Sequence, residues 1–195
     1  MTSTDRRPTT ARSTGPRRAR RGLGRLAGVA AGLVLATTAS LVPAHAETGA
    51  MVVPTTGRVT GVVGKYCTSG LAHGGVDVAA ATGTPVRAAD SGVVSIAGTR
   101  ADSASYGIFV RLHHGTRYRT IYAHLSKLAV VPGQTVKEGQ VIGYVGNTGN
   151  SYGAHLHFEV RLDNVRQSGI NASFPCGTTV TAGTPIAWSF PSLAR

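Results

Sequence analysis

The chain has 195 residues and a formal net charge of +12 at pH 7, a balance that would suit a nucleic-acid partner. The charge is unevenly placed: residues 1–46 hold eight Arg and one Asp, and the 149 residues that follow carry only +5. The basic balance is therefore no argument for nucleic acid and supports at most long-range attraction to anionic polymers. A span of 149 residues makes one ordinary domain with a sizeable core.

The first 46 residues read as a signal peptide. Arginines between Arg6 and Arg25 form a basic region, residues 26–35 are apolar, and Ala44-His45-Ala46 has the small-x-small pattern of a cleavage site. The apolar run falls short of the roughly 20 residues needed for a span. The expectation is therefore a secreted, extracellular or wall-associated protein with no stable membrane insertion after cleavage, an uncleaved anchor being the alternative. Arg20-Arg21 leaves Sec and twin-arginine export both open.

Residues 47–57 read as a short linker, and 58–195 as one domain. Segments 58–63, 84–88, 92–98, 108–113, 117–124, 135–136, 141–145 and 154–162 are rich in Val, Ile, Tyr or Phe and bounded by turn residues. This pattern predicts strands. No stretch after residue 46 shows an apolar stripe of helical period over three turns. The predicted fold is all-β, compact and mostly antiparallel. Residues 163–195, punctuated by Gly and Pro, form an irregular tail with no assigned element.

Cys67 and Cys176 are the chain's two cysteines. Export would put them in an oxidising compartment, where they are expected to form a disulfide closing a loop of about 100 residues. A zinc-ligand role is the competing reading, but the pair lacks CxxC spacing.

Three segments carry the chemistry: His73-Gly-Gly-Val-Asp77, Tyr122-Ala-His124 and His155-Leu-His157. They contain four of the chain's seven histidines and one aspartate. Catalytic Zn²⁺ is held by three ligands of these types and keeps a fourth position for water. The residues alone leave open which three would bind. Parity in 154–161 places His155, His157, Glu159 and Arg161 on one strand face, and Leu156, Phe158 and Val160 on an apolar face turned to the core.

Each segment also has a plainer reading. A His-xxx-Asp pair arises often by chance, and His73 is not followed by the Glu of an HExxH helix. Gly74 and Gly75 argue instead for an extended loop or strand end that allows close backbone approach. A lone His124 would more often be structural. His113-His114 reads as a hairpin turn, and Glu159 as either a partner orienting a histidine or a solvated carboxylate. Residues 146–153 lead into a strand and not a helix, so they read as a tight loop delivering His155 and not as a phosphate loop.

Taken in order, His73-Gly-Gly-Val-Asp77, Gly83-Thr-Pro-Val-Arg-Ala, Gly92-Val-Val, Tyr122-Ala-His-Leu125, Gly139-Gln-Val-Ile-Gly143, Gly146-Asn-Thr-Gly149 and His155-Leu-His-Phe-Glu159 closely resemble the lysostaphin/LytM-type zinc metallopeptidases. The resemblance covers about residues 54–162. It implies a compact antiparallel β fold with a metal site in a groove, and hydrolysis of peptide crosslinks in bacterial peptidoglycan. It implies Zn²⁺ on His73, Asp77 and His157, with His124 and His155 as catalytic histidines outside the ligand set, either of which could be the general base. The implied partners are peptidoglycan stem peptides or crosslinks, and the implied state is a monomer. Residues 65–72 depart from the family, with Lys65-Tyr-Cys-Thr-Ser-Gly-Leu-Ala72 where relatives often carry Arg and Pro. Two rival functions are a non-catalytic wall module that activates another hydrolase, which the full set of five residues opposes, and a zinc peptidase acting on secreted proteins.

Overall fold

Alternation drives the central strands into place. In His155–Leu162, Leu156, Phe158 and Val160 are buried in the main core, as are Val110 and Leu112 in Ile108–His114 and Tyr122 and Leu125 in Tyr118–Leu128. Each fully buried side chain of this size contributes about 1.5–3 kcal/mol. The computed structural model describes residues 51–187. The predicted signal peptide and residues 188–195 lie outside them.

Among the described residues the strands are, in order, β1 (Met51–Val52), β2 (Gly57–Val62), β3 (Lys65–Tyr66), β4 (Val76–Ala79), β5 (Pro85–Arg87), β6 (Gly92–Gly98), β7 (Ile108–His114), β8 (Tyr118–Leu128), β9 (Thr135–Val136), β10 (Val141–Val145), β11 (His155–Leu162), β12 (Val165–Arg166), β13 (Thr179–Val180) and β14 (Pro185–Ile186). Two 3-10 turns lie at Ala101–Tyr106 and Ser168–Ser173. The main sheet runs β13-β2-β4-β11-β8-β7-β6-β9, with β10 bridging β5 and β8, and every pairing is antiparallel. The all-β, mostly antiparallel expectation holds.

Two readings of the sequence are corrected. Residues 51–57, expected to be linker, include β1 paired with β14, and Met51, Val53 and Thr55 are buried. The tail beyond residue 163 supplies β12, β13 and β14, and its Ile170 and Phe174 are fully buried in the core. Two-residue strands leave no alternation to read, which is why both ends looked irregular. Much of the polar face of β11 is covered as well, with His157 and Glu159 buried. Phe109, Ile121 and Ala123 form a second small cluster on that side, backed by Ile96 and Tyr106, and Glu159 is only 1% exposed.

The predicted Cys67–Cys176 bond is present, its Cα atoms 5.5 Å apart. It ties the segment after β3 to the one before β13. The predicted hairpin is present, but His113 and His114 are the last two residues of β7 and the turn itself is residues 115–117, with β7 and β8 in register from His114↔Tyr118.

His114 makes a pH-dependent contribution. Its Nδ1 lies 2.7 Å from the Ser91 carbonyl oxygen and its Nε2 2.8 Å from Thr120 Oγ1. Burial pushes its pKa from 6.5 down to about 4, only partly opposed by the Ser91 hydrogen bond. The unfolded chain therefore takes up a proton first as pH falls. Stability is full above about pH 6.5 and declines toward pH 4, by on the order of 3 kcal/mol from this group. Urea midpoints should fall across that window, and His114→Gln should flatten the decline; an unchanged slope would refute the assignment.

Candidate metal centre and active site

The site is assembled where β4, β11 and β8 lie side by side. Asp77 stands directly opposite His157, and His157 directly opposite Ala123, the residue before His124. His73 enters from the loop before β4. Gly75 in that loop is required by packing: a Cβ there would sit 2.7 Å from His157 Cε1. The expectation that these glycines permit close backbone approach is thereby met.

The structure brings all five sequence-predicted residues into one groove. Asp77 Oδ2 lies 3.1 Å from His73 Nε2, and Oδ1 lies 2.9 Å from His157 Nδ1 and 3.6 Å from His155 Nε2. The His124 ring centroid is 4.7 Å from that of His155 and 5.7 Å from that of His157. The groove has a volume of about 450 Å³, with Tyr66, Thr68, Ser105, Asn150 and Tyr152 along its walls.

Each histidine has one nitrogen committed to the protein and the other turned to the centre. Nδ1–H donates to the Val62 carbonyl at 3.3 Å in His73, to Thr148 at 2.8 Å in His124 and to Gly153 at 2.7 Å in His155. In His157 the outer nitrogen is Nε2, 3.1 Å from Glu159 Oε1. These outer acceptors fix tautomer and ring orientation. Glu159 is thus a buried orienting carboxylate and not a solvated strand-end group.

The electrostatics follow from burial and partners. Burial alone would raise the pKa values of Asp77 and Glu159, but hydrogen bonds to neighbouring side chains pull both down. For Glu159 the donors are His157, Arg161 and Tyr106, and the value falls to about 2. Burial depresses His157, yet Asp77 and Glu159 on either side outweigh it and raise it to about 9. Burial lowers His124 to about 4, so its imidazole is neutral at pH 7.

His73, Asp77 and His157 each offer a ligand atom, all within 4.8 Å of one another. Ligand atoms about 2.0–2.1 Å from a tetrahedral ion stand about 3.3 Å apart. The 2.9 Å and 3.1 Å contacts within this trio are close to that spacing, so the donor set fits a metal ion of this size.

His124 adopts φ 62°, in the left-handed region, inside β8. Such a conformation costs about 1–3 kcal/mol for a non-glycine residue. It falls where β8 changes register against β7, just before the shift against β10 between Leu125 and Lys127, and the Thr148 carbonyl holds the displaced ring. Sequence reasoning did not find Thr148, Tyr106 or Arg166. Thr148 also accepts from Ile108 N–H and donates to Leu125 O through its hydroxyl. Tyr106 donates to Glu159 at 2.7 Å. A Thr within a Gly-Asn-Thr-Gly loop was the one available signal.

The chain resembles several known proteins. It is 41% identical over 103 residues to the DD-carboxypeptidase/endopeptidase Mpg of Neisseria meningitidis, covering 53% of this chain and 23% of that protein. It is 39% identical over 108 residues to the peptidoglycan DD-endopeptidase ShyA of Vibrio cholerae, covering 55% and 24%. The matches span about a quarter of these relatives' length. Among solved structures, the antimicrobial peptidase lysostaphin from Staphylococcus simulans superposes with a TM-score of 0.51 at 33% identity, covering 61% of this chain and 48% of that one. The family model for peptidase family M23 matches residues 71–171, more than half of the chain and a span that holds all five groove residues. By that match the chain belongs to peptidase family M23.

Proposed function

We propose that the protein is a secreted zinc-dependent endopeptidase that hydrolyses peptide crosslinks of bacterial peptidoglycan. The observation that carries this reading is the groove itself, where four histidines each have one nitrogen pinned outward and the other aimed at a shared centre. His73, Asp77 and His157 would hold the ion, and a mixed nitrogen and carboxylate set with room for water favours zinc. When bound, zinc supplies Lewis acidity and lowers the pKa of water toward about 7.

The remaining chemistry belongs to side chains. His155 Nε2, 3.6 Å from the Asp77 carboxylate, is placed to take a proton from the attacking water, because the carboxylate stabilises the imidazolium that forms. It then returns the proton to the leaving amine. His124, held neutral with Nδ1–H on Thr148, offers Nε2 as an acceptor that orients the water. The substrate class is supported by the peptidoglycan endopeptidase among the relatives, and secretion by the leader pattern alone.

The test is mass spectrometry of muropeptides released by the zinc-loaded protein from peptidoglycans of several crosslink types. New amino termini within crosslinks are expected. Intact crosslinks in every type would reject the proposal. N-terminal sequencing of exported protein checks the leader, with Glu47 as the expected first residue.

A further inference from the structure

Arg166 is the sole Lys or Arg among the described residues that line the groove. Its place is set by a two-residue hairpin turn, Asp163-Asn164, with φ 47° and 68°. That turn puts β12 in register with β11, Arg166 opposite Arg161. The guanidinium then lies against the backbone at Gly74, where a Cβ would be 3.0 Å from Nε and 3.1 Å from Cζ. A side chain at position 74 would push Arg166 away from the wall beside His73.

The local charges do not cancel. Arg166 Nε–H donates to Glu159 Oε1 at 3.2 Å, and Arg161 Nε–H to Oε2 at 2.6 Å. The same carboxylate also accepts from Tyr106 and His157. Two guanidiniums, charged at every accessible pH, thus share one carboxylate and leave one positive charge in excess. Arg161 is largely covered, whereas the Arg166 side chain is 47% exposed, so the excess faces the groove. Asp163, the nearest acid in sequence, is closed onto Arg117. Apart from the histidines and the carboxylates of Asp77 and Glu159, which already have partners, the groove is lined by neutral groups, among them Tyr66, Thr68, Asn150 and Ser151.

We infer that Arg166 forms a carboxylate-binding subsite in the groove, selecting peptides that carry a free carboxyl group near the bond to be cut. This rests on the peptidase reading of the groove and names its substrate class more closely. Glu159 and Tyr106 hold the guanidinium from the buried side, and its exposed edge remains for a charge-assisted pair with a carboxylate. The residue is a specificity determinant and takes no part in proton transfer.

The experiment uses crosslinked muropeptide dimers with carboxyl groups either free or converted to carboxamides. Equilibrium binding and cleavage are measured with the zinc-loaded full chain and its Arg166→Gln and Arg166→Lys forms. The unmodified chain should prefer the free-carboxyl dimer by about tenfold or more in both binding and kcat/KM. Arg166→Gln should bring that ratio near one, and Arg166→Lys should retain part of it. A wild-type chain without charge preference, or an Arg166→Gln form that keeps it, overturns the subsite. Charge-selective binding without cleavage of either dimer would support the subsite and overturn the peptidase reading.

Discussion

His157→Ala is expected to strip most of the zinc from the protein. The residue would supply one of three protein ligands through Nδ1, and its removal also leaves Asp77 and Glu159 without the donor between them. Losing one such ligand costs on the order of 3 kcal/mol of metal binding, about two decades in affinity. The measurement is zinc per chain in protein dialysed against a weak chelator. A full equivalent of zinc retained by His157→Ala would remove this residue from the ligand set. Circular dichroism should show the strands intact, because Leu156, Phe158 and Val160 on the core side of β11 are unchanged.

His124→Ala and His155→Ala are expected to keep their zinc and lose hydrolysis by about 10²-fold or more, the usual scale for a positioned proton-transfer group. The two substitutions differ in a second respect. Alanine at position 124 still sits at φ 62° and forfeits the hydrogen bond to Thr148 that compensates the strain, so His124→Ala should also lower thermal stability. His155 is in ordinary strand geometry with its Nδ1 on a carbonyl two residues away, so its loss should leave the melting temperature nearly unchanged. Near-normal hydrolysis by either variant would exclude that residue from the mechanism. A stability loss shared equally by both would refute the argument from strain.

The sheet was legible where its strands are long enough to alternate. Segments 92–98 and 141–145 coincide with β6 and β10, and β11 differs by one residue; β9, only two residues long, was read from its flanking turn residues instead. β8 runs four residues past its predicted end, because Leu125 to Leu128 pair with β10 after the displacement at His124. β4 was missed as a strand: two glycines precede it and only four residues carry the pattern. The groove residues were legible as a set because ligand-type side chains are rare in this chain and cluster in three segments. Their outer partners were not. Thr148 acts through a carbonyl that every residue owns, Tyr106 reaches Glu159 from a short polar 3-10 turn, and Arg166 acquires its role from a hairpin register. Such roles arise from tertiary approach and leave no spacing in the sequence.

His73, Asp77, His124, His155 and His157 all lie between Cys67 and Cys176 along the chain. The loop at Ser151 to Gly153 is the open flank of the groove, and Tyr152 is 97% exposed. Exposed loop tips of this kind are preferred points of attack by other proteases. A nick there would place His155 and His157 on a different fragment from His73, Asp77 and His124. The sulfur bond would still hold the two fragments as one molecule, with β11 seated between β4 and β8. Nicked protein should therefore migrate as a single chain until reductant is added, and only then release a short carboxyl-terminal piece.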